Sequence, residues 1–486
     1  MTCPSTEPFK QEKYKALMDG LKCKEVYLSD TYSATNYFRL EAEYYNSISV
    51  SYHQSYKGSD VAMDIQYGTS KYCDEKKEGY PVLRLNELDN GFIDMPQKYC
   101  NTLSVDEFDK LRLKKGDVLI IRTNGNPNLV GKAAVVMEDT DYAFASYLYR
   151  VIPNGKINSE TLVSYMNCKY GRYEIDKNSI KGNQTNFSPA KFRDINIPEF
   201  GVELQAEIRK IINRAHQYRV MADMEYFTAE ELLNIYLKTD LVVNVKEAVS
   251  VKTFSESFGV NGRLDSEYYQ PKYDALFKGL QQFTCKKLGG DNGIANIMKS
   301  IEPGRDEYKK EGIPFVRVSD MSKFEITDPE ICLSENIIDN VLNLFPKKDT
   351  ILFSKDGSVG IAYKMENDAN IITSSALLHL SIKNDSEVLP DYLTLVLNSP
   401  IVQLQAERDS NGAIIKHWKP SEIENVDIPL LDMRKQEELT QKIRESFTAR
   451  RKSKELVEYA RKALEMAIES DEEKAVEWLR EKGDEM

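Results

Sequence analysis

Two hydrophobic rhythms alternate along the chain. From about Glu25 to Phe200 the apolar residues fall in short runs bounded by turn signals. Val82–Leu85, Val118–Ile121, Ala133–Met137 and Tyr147–Ile152 have the length and β-branched content of buried strands. Asn90-Gly91, Asn124-Gly125 and Asn154-Gly155 mark tight turns between them. Leu162, Val163 and Met166 place one helix over Ser159–Cys168 with those three side chains inward. Polar, aromatic-containing loops are expected at Ser51–Lys71, Arg122–Lys132 and Lys181–Phe187. At the amino terminus, Tyr14, Leu17, Met18 and Leu21 share a helical spacing, which predicts a short lead-in over residues 1–23.

After Phe200 the period changes. Leu204, Ile208, Ile211, Ala215, Tyr218, Ala222, Ala229, Leu232 and Tyr236 follow an alternating four-three spacing, with Glu225 the one polar interruption. This is a heptad seam without Gly or Pro. A helix of about 35 residues would be about 50 Å long. A second mixed region, about Val251 to Leu430, is followed by a second seam. Its members are Leu439, Ile443, Ser446, Arg450, Ser453, Val457, Ala460, Leu464 and Ala467. Its small and charged entries call for a partner helix, and the first long helix is the natural one.

The two mixed regions are copies. Lys76-Lys77-Glu78-Gly79-Tyr80-Pro81-Val82-Leu83-Arg84-Leu85 returns as Lys309-Lys310-Glu311-Gly312-Ile313-Pro314-Phe315-Val316-Arg317-Val318, 233 residues later. Lys114–Ile120 returns at the same spacing as Lys347–Phe353. Arg39–Tyr45 matches Arg263–Tyr269, and Ile197-Pro198 with Gln205 matches Ile428-Pro429 with Gln436. Lys416-His417-Trp418-Lys419-Pro420 stands where Asn186-Phe187-Ser188-Pro189 stands in the first copy. Four matches in one order mean a tandem duplication. The expected class is α/β (α+β), with five segments: a lead-in (1–23), a first domain (24–200), a central helix and linker (201–246), a second domain (247–430), and a final helix with a charged tail (431–486). Two long helices leaving equivalent domains of one chain are expected to pack as an antiparallel coiled coil.

Composition narrows the class. A length of 486 residues allows more than one core, and 41% hydrophobic with 29% charged residues is ordinary for a globular protein. Seven cysteines include no C-x-x-C pair. A disulfide framework and structural zinc are therefore not expected, and a cytoplasmic setting fits. No apolar run reaches membrane-spanning length, and no membrane partner is expected. The net charge of −12 counts against a nucleic-acid partner. Most of the excess, about −8, lies in 247–430, whereas 434–462 carries ten Lys or Arg against five Glu.

No catalytic constellation emerges. Gly125–Ala133 resembles a phosphate-binding loop but has five residues between its glycines and Ala133 where Ser or Thr belongs. Asn126-Pro127-Asn128-Leu129 resembles the N-P-P-Y loop of DNA amino-methyltransferases but lacks the second Pro and the aromatic. A magnesium nuclease would need an acidic pair plus E-x-K, and Glu307-Tyr308-Lys309 offers an E-x-K only in a charged loop with no strand signature around it. His53, His216, His379 and His417 share no ligand spacing, and His216 is expected to be exposed. Metal ligands are not expected.

Two equivalent domains on a rigid spacer suit a two-point reader of duplex DNA, with the spacer covering one to two helical turns. Loop side chains would meet base edges. The candidates are Arg122, Asn124, Asn126, Lys132, Gln184 and Asn186 in the first domain, and Lys355, Ser358, Lys416, His417 and Lys419 in the second. Each has a plain structural reading beside this one: Asn124 and Asn126 could serve left-handed turns, and Trp418 could be core.

Gly116–Gly131, Gly182–Ser188 and the I-P…Q-x-E-I pattern (Ile197-Pro198, Gln205, Glu207-Ile208) resemble the specificity (S) subunits of type I restriction–modification systems. The pattern recurs as Ile428-Pro429, Gln436 and Glu438-Leu439, so the resemblance spans about residues 24–468. It implies two target-recognition domains, each reading half of a split double-stranded DNA sequence, and a coiled coil that fixes the gap. It further implies two methyltransferase (M) subunits docked on the helices, with Gln205, Ile208, Ile211, Gln436, Leu439 and Ile443 as partner contacts. Restriction (R) subunits would join through the complex. S-adenosylmethionine, magnesium and ATP would sit on the partners, leaving this chain non-catalytic and without a cofactor. Two other readings stay open: a coiled-coil scaffold whose α/β units bind proteins, and a self-contained DNA-modifying enzyme.

Overall fold

The structure is a computed structural model that describes residues 11–18, 25–33, 44–45, 52–239, 249–334, 342–384, 387–412 and 416–485. It divides into two compact units, Met1–Arg219 with Arg451–Met486, and Val220–Arg450. Each long helix, Val202–Leu237 and Met433–Glu469, contributes one half to each unit.

In the first unit the main sheet runs Ala62–Tyr67, Leu148–Pro153, Val118–Ile121, Ala133–Val135, Phe92–Ile93, Leu88–Asp89. Val118, Leu119, Ile120 and Ile121 are all buried, because this central strand is covered on both faces. The second unit repeats four of these strands in the same order: Ala295–Lys299, Leu377–Ile382, Ile351–Ser354, Ala362–Lys364. A helix covers each sheet, Ser159–Asn167 in one and Pro390–Leu397 in the other. The asparagine at the end of the cover marks the duplication in atomic detail. Asn167 Oδ1 accepts from Ala133 N at 3.1 Å and its Nδ2 donates to Ala133 O at 2.8 Å. Asn398 treats Ala362 identically, at 3.0 and 2.8 Å.

The repeated decapeptide supplies the middle strand of a smaller sheet in both units. Tyr80–Leu83 pairs parallel with Ala143–Phe144, and Ile313–Val316 with Ile372–Thr373. The shared glycine is forced. Gly79 (φ +81) and Gly312 (φ +132) turn so tightly that a Cβ would lie 2.2 Å from Cys100 O or Leu333 O.

The long helices join their domains through a repeated glutamine. Gln205 Oε1 accepts from Asn158 N at 2.9 Å, while its Nε2 donates to Phe200 O at 2.9 Å. Gln436 does the same with Leu389 N at 3.0 Å and Leu431 O at 2.9 Å. In the first unit Leu204, Ile208, Ile211 and Ala215 share a core with Leu456, Val457, Ala460 and Leu464. In the second, Tyr226, Ala229, Leu233 and Leu237 share a core with Leu439 and Ile443. The helix segments of the second unit run antiparallel: Ser446 Oγ donates to Ala222 O at 2.6 Å, Lys442 Nζ to Glu225 at 2.8 Å, and Tyr236 OH to Glu438 at 2.7 Å. The polar entry Ser446 is thus a tie across the pair.

Several expectations need correction. Past Ala222, Ala229 is buried as expected, but the other buried helix positions are Tyr226, Leu233 and Leu237, while Leu232 and Tyr236 are only partly buried beside them. A straight helix drifts against a strict heptad, and Glu225 is held outward by Lys442. The charged tail is a helix, Glu472–Asp484, whose Ala475, Val476 and Leu479 join the first core. Glu472 Oε1 accepts from Gly201 N at 2.8 Å, and Arg480 pairs with Glu203 and Glu207 at 2.8 and 3.0 Å. Charge on one face concealed an apolar stripe on the other. Ser51–Lys71 is not a loop: it holds strands Ser55–Lys57 and Ala62–Tyr67 and a turn of helix, at an edge whose exposed side lets polar residues in. Tyr308–Lys309 of the E-x-K is a short strand. His216 is half-buried, its ring 5.7 Å from that of Phe92. Of the lead-in, Gln11–Met18 is helical, and Leu21 lies outside the described residues, as do residues 39–43 of one repeat match.

The glutamine clamp can be tested. Gln436→Met keeps the volume but strands Leu389 N and Leu431 O in a buried site, at a cost on the order of 2 kcal/mol. Trp418 and Trp478 lie in different units. Urea unfolding followed by tryptophan fluorescence of single-tryptophan variants should show the Trp418 transition moving to lower urea while the Trp478 transition moves less; equal shifts, or none, would contradict the clamp.

Candidate nucleic-acid interface

In each unit the chain leaves the buried central strand and enters a polar loop, and one backbone arrangement fixes that exit. Arg122 N donates to Tyr147 O at 2.8 Å, and Arg122 O accepts from Phe187 N at 2.8 Å. Lys355 N donates to Ala376 O at 2.9 Å, and Lys355 O accepts from Trp418 N at 2.8 Å. Phe187 and Trp418 are both essentially fully buried. The core reading of Trp418 holds, and each aromatic anchors a return strand beside the loop.

In the first unit Thr123–Asn124 pairs antiparallel with Thr185–Asn186. Arg122, Asn124 and Asn186 are therefore brought together, with exposed Gln184 just before the paired strand. Lys132 ends the same loop and is exposed. Asn124 and Asn126 do not adopt left-handed conformations. Instead Asn124 Oδ1 accepts from Asn126 N at 2.7 Å and Asn126 Oδ1 from Asn128 N at 2.8 Å, two successive side-chain turns that shape the loop. The run that resembled a phosphate loop is this turn. The Arg122 guanidinium lies 5.5 Å from the Tyr67 ring centroid, and its Nε is buried without a hydrogen-bond partner. Tyr67 and Tyr147, whose backbone carbonyl accepts from Arg122 N, are both about half exposed. Neither tyrosine was picked out in the sequence, where Tyr147 opened an expected strand and Tyr67 lay in an expected loop.

In the second unit the bridge Asp356↔His417 and the bond Gly357 N to Lys416 O at 2.9 Å draw Lys355, Lys416 and His417 together beside exposed Ser358. Lys419 stands apart as the N-cap of helix Pro420–Glu424, with its ammonium 3.5 Å from Glu422. The residue that sequence reading missed is Asp356. It pairs with the Lys355 ammonium and accepts a hydrogen bond from His417 Nδ1 at 2.8 Å. The second edge thus carries its own counter-charge, whereas Arg122 has no ion pair among the described residues.

Residues 292–452 match the family model described as the type I restriction modification DNA specificity domain. The chain therefore carries, over that stretch, a domain similar to the type I DNA specificity domain. It is a DNA sequence-specificity protein, and the first unit repeats, strand for strand, much of the matched region. Three solved structures show similarity to this chain. The type I restriction–modification S subunit from M. genitalium is 12% identical, with 88% of this chain and 95% of that one covered at a TM-score of 0.34. A chain from a structure on complex assembly and conformational transition of the type I system is 14% identical, with coverages of 86% and 98% at 0.28. The HsdS subunit from Thermoanaerobacter tengcongensis is 14% identical, with 86% and 97% at 0.27. Comparison with curated proteins finds no match.

One group of expected contacts is reassigned. Gln205 is spent on the backbone of its own unit, and Gln436 likewise. Ile208, Ile211, Leu439 and Ile443 are buried in their own cores. Gln205 keeps some exposed surface, whereas Gln436 and the four apolar side chains are buried and have none to offer a partner. Among the described residues no helix is long and apolar enough to cross a membrane, and no cluster of His, Cys, Asp or Glu is arranged to hold a metal ion.

Asp356→Asn should release the Lys355 ammonium. The expected outcome is a several-fold gain in affinity of the full chain for any duplex at low salt, fading as salt screens it. Fluorescence anisotropy titrations read this directly, and unchanged affinity would place Lys355 away from DNA.

Proposed function

We propose that each unit reads one half of a bipartite duplex DNA target. The observation that carries this is the repeated loop exit: two polar edges built on the same anchors, one per copy. The two long helices form an antiparallel coiled coil that sets the gap between the half-sites, a reading supported by the ties between their segments within the second unit. The chain is the non-catalytic component of a complex with M and R subunits, which bring S-adenosylmethionine, magnesium and ATP. Because partners also grip the duplex, the chain alone binds DNA weakly, in keeping with its net charge of −12.

With the buried seam excluded, docking of an M subunit falls to an outward face of the first long helix. Val220, Met221, Met224 and Phe227 are 43%, 45%, 64% and 62% exposed and lie at helical spacing. An apolar stripe of this kind on an otherwise polar helix suits a partner's apolar groove.

Methylation mapping of host DNA tests the reading of half-sites. A split motif with one modified adenine in each half should depend on this chain, and replacing residues 251–430 with another family member's domain should change one half only. A change in both halves would overturn the assignment of one unit per half. For docking, Phe227→Asp should abolish co-purification with the M subunit while leaving weak DNA binding by the chain itself unchanged; retained co-purification would move the docking face elsewhere.

A further inference from the structure

The duplication supplies an internal control for every side chain, since a residue that the fold requires should recur in both copies. Three cations of the first unit do not. Gly131-Lys132-Ala133 corresponds to Gly360-Ile361-Ala362, as the paired asparagine brackets on Ala133 and Ala362 establish. Arg172 corresponds to Gln403, at the 231-residue spacing that relates Asn167 to Asn398. Arg461 corresponds to Glu230, at the same spacing that relates Gln205 to Gln436. The frame folds with Ile, Gln and Glu at these places. Lys, Arg and Arg are there for another reason.

In the first unit the three converge. Arg172 Nη2 donates to Asn128 O at 3.2 Å, which sets its guanidinium against the loop that ends at Lys132. Its Nη1 is buried without a partner, and so is Nε of Arg461. Arg461 reaches Glu458 only at 3.5 Å. Lys132 is exposed as a residue, yet protein crowds its ammonium; that crowding, then Arg172, then Arg461, holds it below the usual lysine range. The nearby acids are engaged elsewhere, Asp89 with Arg219 at 2.9 Å and Asp176 with Lys181 at 3.0 Å. Like charges gathered this way repel one another until an anion arrives. In the second unit the equivalent Glu230 is already paired with Lys323 at 2.8 Å.

We infer that Lys132, Arg172 and Arg461 form an anchor for a backbone phosphate of duplex DNA, and that the second unit has no equivalent of it. This rests on the DNA-reading role proposed above and makes the two heads unequal. The first grips the backbone beside its reading loop. The second reads from an edge whose cations Asp356 has already balanced. A phosphate contact carries no sequence information, so the anchor positions the first head without choosing its target.

The test replaces each cation with the residue of its twin: Lys132→Ile, Arg172→Gln and Arg461→Glu in the full chain. Anisotropy titrations against cognate and scrambled duplexes over a range of salt would read the result. The expected loss is about tenfold to a hundredfold at low salt, equal for both duplexes, with a salt slope shallower by about 2 to 3. Should the triple variant melt early, Arg172→Gln alone should lower the slope by about 1. Unchanged affinity and slope would overturn the anchor while leaving the reading role intact. Unchanged DNA binding with loss of M-subunit co-purification would mean that the three cations hold a partner's carboxylates instead. If the unmodified chain bound no duplex even at low salt, both the anchor and the DNA-reading role would fall.

Discussion

A long helix that starts where a domain ends leaves unpaired backbone groups at the junction, and in this protein one glutamine amide at each junction pairs with them. Gln205 and Gln436 each accept from the backbone N–H just before the covering helix and donate to a carbonyl just before the long one. The primary amide suits this because it donates and accepts at once. Together with the apolar core that each helix shares with its unit, this side chain fixes the direction in which the helix leaves it. Loss of either hydrogen bond would expose a buried backbone group to the full cost of going unpaired.

Outside that shared frame the copies have diverged, and they have diverged in charge more than in shape. Arg122 lies over Tyr67 and makes no ion pair among the described residues, while its counterpart Lys355 is tied to Asp356. Arg461 stands where Glu230 stands in the other copy. Duplication relaxes the demand that both heads do everything. One can supply grip and the other discrimination, provided that both keep the same attachment.

Much of this was legible in the sequence because it follows from periodicity and repetition. The strand Val118–Ile121 was readable as four consecutive apolar residues. The second seam was readable because Leu439, Ile443, Val457, Ala460 and Leu464 keep their spacing. What escaped was decided by partners far along the chain. Asp356 looked like an ordinary turn residue, since nothing local marks its pairing with His417, 61 residues away. The final helix escaped because Glu472, Arg480 and Lys482 dominate its composition, although Ala475, Val476 and Leu479 carry its packing. The partner contacts assigned to Ile208 and Ile211 failed for the opposite reason: a strongly apolar seam says that something covers it without saying what.

The spacing between equivalent residues drops from 233 at Lys114 and Lys347 to 229 at Ala133 and Ala362, so the second loop is four residues shorter. Both ends of that loop are nonetheless pinned in the same way, by a backbone bond to a buried aromatic on one side and an asparagine bracket on the other. Length between the pins is therefore free to vary while the core stays as it was. A scaffold with that property works like a tool holder: the bit can be changed without rebuilding the handle, and new targets become reachable by small insertions and deletions as well as by substitution.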